Sequence, residues 1–179
     1  MKKDIYKEAA AIIRTTQRAL RDMIEDAEKT FDPETMAYAR AGEYYVETIA
    51  GGVNWIRRLS VVMDIKIEAE NDKACQEIKT LADIWAVENS DKTWAERHNG
   101  TINSTRKHIH HMLTLCSRDG SPLHDLTDSM VQLDKYTDKM RIDLANKREK
   151  LKKLRTKRIE RSAKHETGRM ERNDKIGRR

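Results

Sequence analysis

The stretch LHDLTDSMVQLDKYTDKMRIDLANKREKLKKL, residues 123–154, decides the fold class. With Leu123 as position a of a heptad, the a sites are Leu123, Met130, Thr137, Leu144 and Leu151, and the d sites are Leu126, Leu133, Met140, Lys147 and Leu154. Apolar residues recurring every 3.5 positions lie in one stripe along a helix, and such a stripe has to be covered by another helix. Asp134, Lys135, Asp138, Lys139 and Asp143 flank it, the arrangement of a helix with a single partner groove. The spacing predicts one long heptad-patterned helix over 121–156, of roughly 35 to 45 residues and some 50 to 65 Å if unbroken. Leu123, Leu126, Met130, Leu133, Met140, Leu144, Leu151 and Leu154 thus form an association seam, packed either on helices of the same chain or on another copy. Thr137 and Lys147 at core positions would make a dry pairing of two copies weak.

Toward the C-terminus the seam runs into a cationic segment without a break. Residues 147–179 hold fifteen Lys or Arg against five Asp or Glu, a net charge of +10, whereas the rest of the chain sums to −4. The cations are Lys147, Arg148, Lys150, Lys152, Lys153, Arg155, Lys157, Arg158, Arg161, Lys164, Arg169, Arg172, Lys175, Arg178 and Arg179. Arg158 and Arg161 take the next a and d places, so the apolar seam is expected to end there. Closely spaced permanent cations neutralise phosphates and release counterions, and guanidinium forks grip them. With no aromatic residue after Tyr136, base stacking is not expected, and binding would be directed at the backbone with weak sequence preference. The plainer alternative is a solvated helix end with pairs such as Glu160–Lys164, followed by a disordered terminus. From residue 155 onward the only apolar material is Ile159, Ala163, Met170 and Ile176, so removing this arm is expected to leave stability unchanged.

Toward the N-terminus, Ile5, Ala9, Ile12, Ile13, Thr16, Leu20, Met23, Ile24 and Ala27 fall three and four apart and predict a helix ending near Thr30-Phe31. Asp32-Pro33-Glu34 then supplies a cap acceptor, a first-turn proline and an early acid for a second helix starting at Pro33. Its apolar positions are Met36, Tyr38, Ala41, Tyr45, Ile49, Val53, Trp55, Ile56, Leu59, Val62, Met63 and Ile67, and truncating Trp55 or Leu59 is expected to cost about 2–5 kcal/mol. Gly51-Gly52 in its middle points to close helix packing in preference to a kink. Glu68, Glu70 and Asp72 read as a solvated stretch, and Cys75, Ile78, Leu81, Ala82 and Trp85 as a third helix or a continuation past a bend. Asn89-Ser90-Asp91 offers a cap, and Asn99-Gly100 separates two short helices, about 92–98 and 103–117. Asp119-Gly120-Ser121-Pro122 is the clearest break.

Of the 179 residues, 37% are apolar and as many are charged, with seven Gly and two Pro. So little turn material and so much wetted surface argue against an all-β fold and for an elongated helical one. Two cysteines make no disulfide framework, no signal-peptide core opens the chain, and no stretch approaches the roughly 18 apolar residues of a membrane span. A soluble, cytoplasmic protein is expected.

Three constellations invite sharper readings. Trp94 to His98, a turn at Asn99-Gly100, and Ser104 to Ile109 resemble a helix-turn-helix, but His98 and Arg106 occupy places that such a motif fills with aliphatic residues. His98, His108, His110, His111 and Cys116 cluster locally without four well-spaced ligands or any Glu-x-x-His pair, so no metal or other cofactor is expected. Gly-rich phosphate loops and a Gly-x-Ser-x-Gly nucleophile turn do not occur, which argues against an enzyme. Trp55, Trp85 and Trp94 with Tyr38, Tyr44, Tyr45 and Tyr136 read as core in preference to a ligand pocket.

The sequence therefore predicts an all-α, elongated protein: an N-terminal helical bundle over 1–118, the heptad helix over 121–156, and a basic tail over 157–179. The leading function is a non-enzymatic interaction or assembly protein, a homo-oligomer or part of a larger assembly, whose arm binds nucleic acid or another polyanion. The alternative is a scaffolding or adaptor protein, similar in composition to viral capsid scaffolds, whose arm docks on an acidic protein surface.

Overall fold

The computed structural model describes the backbone at residues 4–71 and 91–176 and the side chains at 4–71 and 100–172. The segment from Cys75 to Trp85, the side chains of Trp94, His98 and Lys175, and Arg178 and Arg179 lie outside the described residues.

The described structure is all-α. Helix α1 spans Ile5–Thr30, α2 Pro33–Asn71, α3 Asp91–Cys116 and α4 Thr127–Ile176, with a 3-10 turn at His124–Leu126. The chain folds into two compact units. The first comprises Met1–Leu59 and Trp94–Asp143, the second Ser60–Thr93 and Leu144–Arg179, and both α2 and α4 contribute to each.

In the first unit, Asp4 caps α1 by accepting from the N–H groups of Tyr6 and Lys7 at 3.1 and 3.3 Å. The corner to α2 is set by Phe31 at φ 54°, with Asp32 N–H bonded to Ala27 O at 3.0 Å and Phe31 N–H to Glu28 O at 3.4 Å. That pair of bonds closes the orphan carbonyls of α1 in a Schellman turn. Asp32 Oδ1 then accepts from Thr35 N–H at 3.1 Å, and bonds from Thr35 hold its carboxyl below the usual range. The boundary therefore falls where the sequence places it.

Helices α1, α2 and α3 meet at Gly42 on α2, together with Leu123 from the connection that leads into α4. A Cβ there would lie 3.0 Å from Leu20 of α1, 3.2 Å from Met112 of α3 and 3.4 Å from Leu123. Around this point Ile13, Val46, Ile49, Ile56, Ile109, Met130, Leu133 and Met140 are buried. The seam of α4 is thus covered within one chain: Leu123, Leu126, Met130, Leu133, Met140, Leu144 and Leu151 are all buried and Leu154 is half-buried.

Several local expectations are corrected. The buried face of α2 is Ala39, Gly42, Val46, Ile49, Val53, Ile56, Ser60, Met63, Ile67 and Glu70, alternating three and four apart, so Tyr38, Ala41, Tyr45 and Val62 sit beside the stripe. Trp55 stands 48% exposed, whereas Leu59 is buried. Truncating Trp55 therefore opens no closed cavity. At Gly52 an added Cβ would run into the Thr105 hydroxyl, which is the close packing anticipated, while Gly51 meets nothing within 4 Å. Asn99-Gly100 does not interrupt α3, so the two short helices are one and the helix-turn-helix reading fails for want of a turn. The long helix opens at Thr127. Before it Gly120 takes φ 73°, which suits a residue without Cβ, and Ser121 Oγ accepts from Leu123 N–H at 3.1 Å, so Leu123 and Leu126 enter the core from a 3-10 turn.

Candidate nucleic-acid interface

The cationic segment is helical through its described residues. α4 continues through 157–176 with no break after the heptads, so those cations of the second unit that lie within it are carried on a rod. Lys, Arg and Glu are good helix formers, and no Pro interrupts them. The rod has two kinds of surface.

Along the side facing α2, three cations are held by carboxylates of the same unit. Lys147 Nζ lies 2.7 Å from Asp64 Oδ2 and donates to Ser60 Oγ at 2.7 Å. Arg158 Nε lies 3.1 Å from Glu70 Oε2 and Arg155 Nε 3.6 Å from Glu70 Oε1, with the Glu70 side chain 1% and that of Arg158 6% exposed. Glu70 is therefore no solvated acid, and Lys147, Arg155 and Arg158 are turned inward as they stand. Residue 158 is the next a place of the heptad after Leu151, and Glu70 the next core place of α2 after Ile67. The two seams go on past their apolar residues, with a buried ion pair in place of a leucine contact. Removing Glu70 would take a carboxylate from both arginines at a buried point, and breaking a buried pair in this way is costly even where the intact pair adds little net stability.

Outward, Arg148, Lys150, Lys152, Lys153, Lys157, Arg161, Lys164, Arg169 and Arg172 are exposed. Lys153 keeps a loose i,i+4 contact with Glu149 at 3.8 Å, and Arg172 Nε donates to Gly168 O at 3.1 Å. Exposed pairs of that kind are worth about 0.5 kcal/mol and are readily exchanged for a phosphate. At about 100° per residue, Lys150, Lys153, Lys157, Arg161, Lys164 and Arg172 fall within an arc of roughly 100°, centred some 100° around the axis from Leu151 and Arg158. Glu171 lies at the edge of that arc. The sequence reading treated the cations as one undivided set and missed this division; their three-and-four spacing was the available signal.

His108 Nδ1 lies 2.7 Å from Ser104 O, its ring centroid is 6.0 Å from that of His111, and Tyr45 packs beside both at 6.1 and 5.5 Å. His110 instead faces Asp134 at 3.4 Å, and Cys116 is buried, which pushes its thiol up. Among the described residues no three His, Cys, Asp or Glu side chains gather as a metal site would require. Arg106 forks onto Asp134 at 3.1 and 3.3 Å and lies 3.6 Å from Asp138, tying α3 to α4, and Asp134 keeps its guanidinium firmly protonated. An open groove of about 650 Å³ runs between Thr48, Gly51, Gly52 and Trp55 on α2 and Gly100, Thr101, Ser104 and Thr105 on α3. Its lining carries no ionisable group. No described helix is long and apolar enough to cross a membrane. Comparison with protein-family models, with curated proteins and with solved structures found no match to this chain.

Proposed function

We propose that this is a non-enzymatic helical protein that holds nucleic acid, or a similar polyanion, on the C-terminal half of α4 without strong sequence preference. The observation that carries the reading is the exposure of Arg148, Lys150, Lys152, Lys153, Lys157, Arg161, Lys164, Arg169 and Arg172 on one continuous helix. Fixed, closely spaced cations gain affinity from counterion release without having to be ordered on binding. The arm is narrower than the charge count implies, because Lys147, Arg155 and Arg158 serve the fold.

A second reading draws on those same three residues. Asp64 and Glu70 show cations of α4 pairing with carboxylates on a neighbouring helix, so an acidic helical protein is the alternative occupant. Association between copies, if it accompanies either function, uses a surface other than the seam, whose leucines are already covered. Purification at low salt tests the choice. Co-purified nucleic acid, read as absorbance near 260 nm that a high-salt wash removes, supports the first reading; a clean preparation that binds immobilised polyglutamate but not DNA replaces it with the second.

A further inference from the structure

Resting on the nucleic-acid reading, the geometry points to a more specific ligand: we propose that Lys150, Lys153, Lys157, Arg161, Lys164 and Arg172 form a stripe that lies against the phosphates over about one turn of a duplex. The second unit carries these residues on one helix, all exposed, at spacings of three, four, four, three and eight. In the eight-residue step, Gly168 occupies the intervening turn. Such spacing keeps every member on one side of a 3.6-residue helix, and at 1.5 Å per residue the stripe is about 33 Å long. One turn of duplex DNA is about as long, roughly 34 Å.

Two features favour a duplex over a single strand. Sequence-tolerant single-strand sites stack bases on aromatic rings, and α4 has none beyond Tyr136. A duplex presents phosphates already held on a stiff scaffold, so a rod of fixed charges meets a fixed partner and neither side has to be ordered. The buried Glu70–Arg158 pair contributes by fixing the rotation of the helix, which leaves the stripe on an exposed flank about a quarter-turn round from it. Arg148, Lys152 and Arg169 are equally exposed but lie outside the arc, and they are expected to contribute little.

The test uses the full chain, a fluorescein-labelled DNA duplex of roughly two turns and a single strand of the same length, titrated over about 50 to 200 mM salt. The variant Lys153→Gln, Lys157→Gln, Arg161→Gln is compared with Arg148→Gln, Lys152→Gln, Arg169→Gln; each removes three exposed charges and substitutes a good helix former, and circular dichroism checks that both fold. Six phosphate contacts give a slope of log affinity against log salt near −5 for the parent chain, falling to about −3 in the first variant, with affinity about a hundredfold lower. The second variant should keep both the slope and the affinity. Equal losses in the two variants overturn the stripe and leave a diffuse polyanion arm. Tighter binding of the single strand overturns the duplex and leaves the general reading standing. No binding of either nucleic acid at the lowest salt defeats the reading on which the stripe rests, and the stripe with it.

Discussion

Thr137 sits at a core position of the seam with none of its surface exposed, and its hydroxyl donates to Leu133 O at 2.9 Å. Thr16 and Thr105 do the same toward Ile12 O and Thr101 O, at 2.9 and 2.8 Å. Each buried hydroxyl is satisfied by the carbonyl one turn back, so polar residues enter the core without an orphaned donor. The carbonyl already serves the helix, and the extra bond is therefore worth little. Thr137→Val should leave stability within about 1 kcal/mol of the parent chain in urea unfolding, while Thr137→Ala should cost about 1 kcal/mol more through its cavity. Glu70 is the opposite case. Glu70→Ala takes a carboxylate away from buried Arg158 and should cost about 3–5 kcal/mol, whereas Glu70→Met combined with Arg158→Met should recover most of that loss. A silent Glu70→Ala would mean that the guanidinium finds water.

At the level of elements, the corner between α1 and α2 was legible because Asp32 and Pro33 act locally, Asp32 by accepting from Thr35 N–H and Pro33 through its fixed φ in the first turn. The seam of α4 was legible because its residues are large and apolar. The matching stripe of α2 was legible only in part: Ile49, Val53, Ile56, Leu59, Met63 and Ile67 stand out as apolar and are buried. It also runs through Ala39, Gly42, Ser60 and Glu70, small or polar residues that a search for apolar mass passes over, while Tyr38, Tyr45 and Trp55 pull the reading one position aside. The same blindness covers the interface. Arg158 reads as one cation among fifteen until its heptad place is set beside that of Glu70, and only packing shows the two to be partners. Asn99-Gly100 misled in the other direction, since α3 continues through a pair that in isolation favours a stop. Close approach of α2 and α3 makes Gly52 sensitive. Gly52→Ala should destabilise by about 1–3 kcal/mol as Thr105 is displaced, whereas Gly51→Ala, with open space around it, should stabilise by up to about 1 kcal/mol through helix propensity. Paired thermal melts decide between them, and equal shifts would mean that the two helices can separate freely.

For the whole molecule, the question is where fold ends and binding surface begins along α4. The composition suggests a boundary at residue 155, after which apolar residues are few, so the entire arm would be dispensable for stability. Packing moves that boundary outward by about one and a half helical turns. Arg155 and Arg158 sit opposite Glu70, and deletion of residues 155–179 takes away both ion pairs and the part of α4 that packs over Glu70. Beyond Arg161 the described side chains are exposed or at most half-buried. Deleting residues 162–179 should therefore leave the melting temperature within a few degrees while weakening duplex binding, because Lys164 and Arg172 go with it. Deleting 155–179 should lower the melting temperature further than the shorter deletion does, because it also removes the Glu70 ion pairs and the packing of Arg155 and Arg158. Circular dichroism melts of the two truncations, read beside their DNA titrations, separate the roles. If the shorter deletion melts like the longer one, the distal helix is part of the fold; if both melt like the parent chain, the Glu70 pair carries no stability and the boundary returns to residue 155.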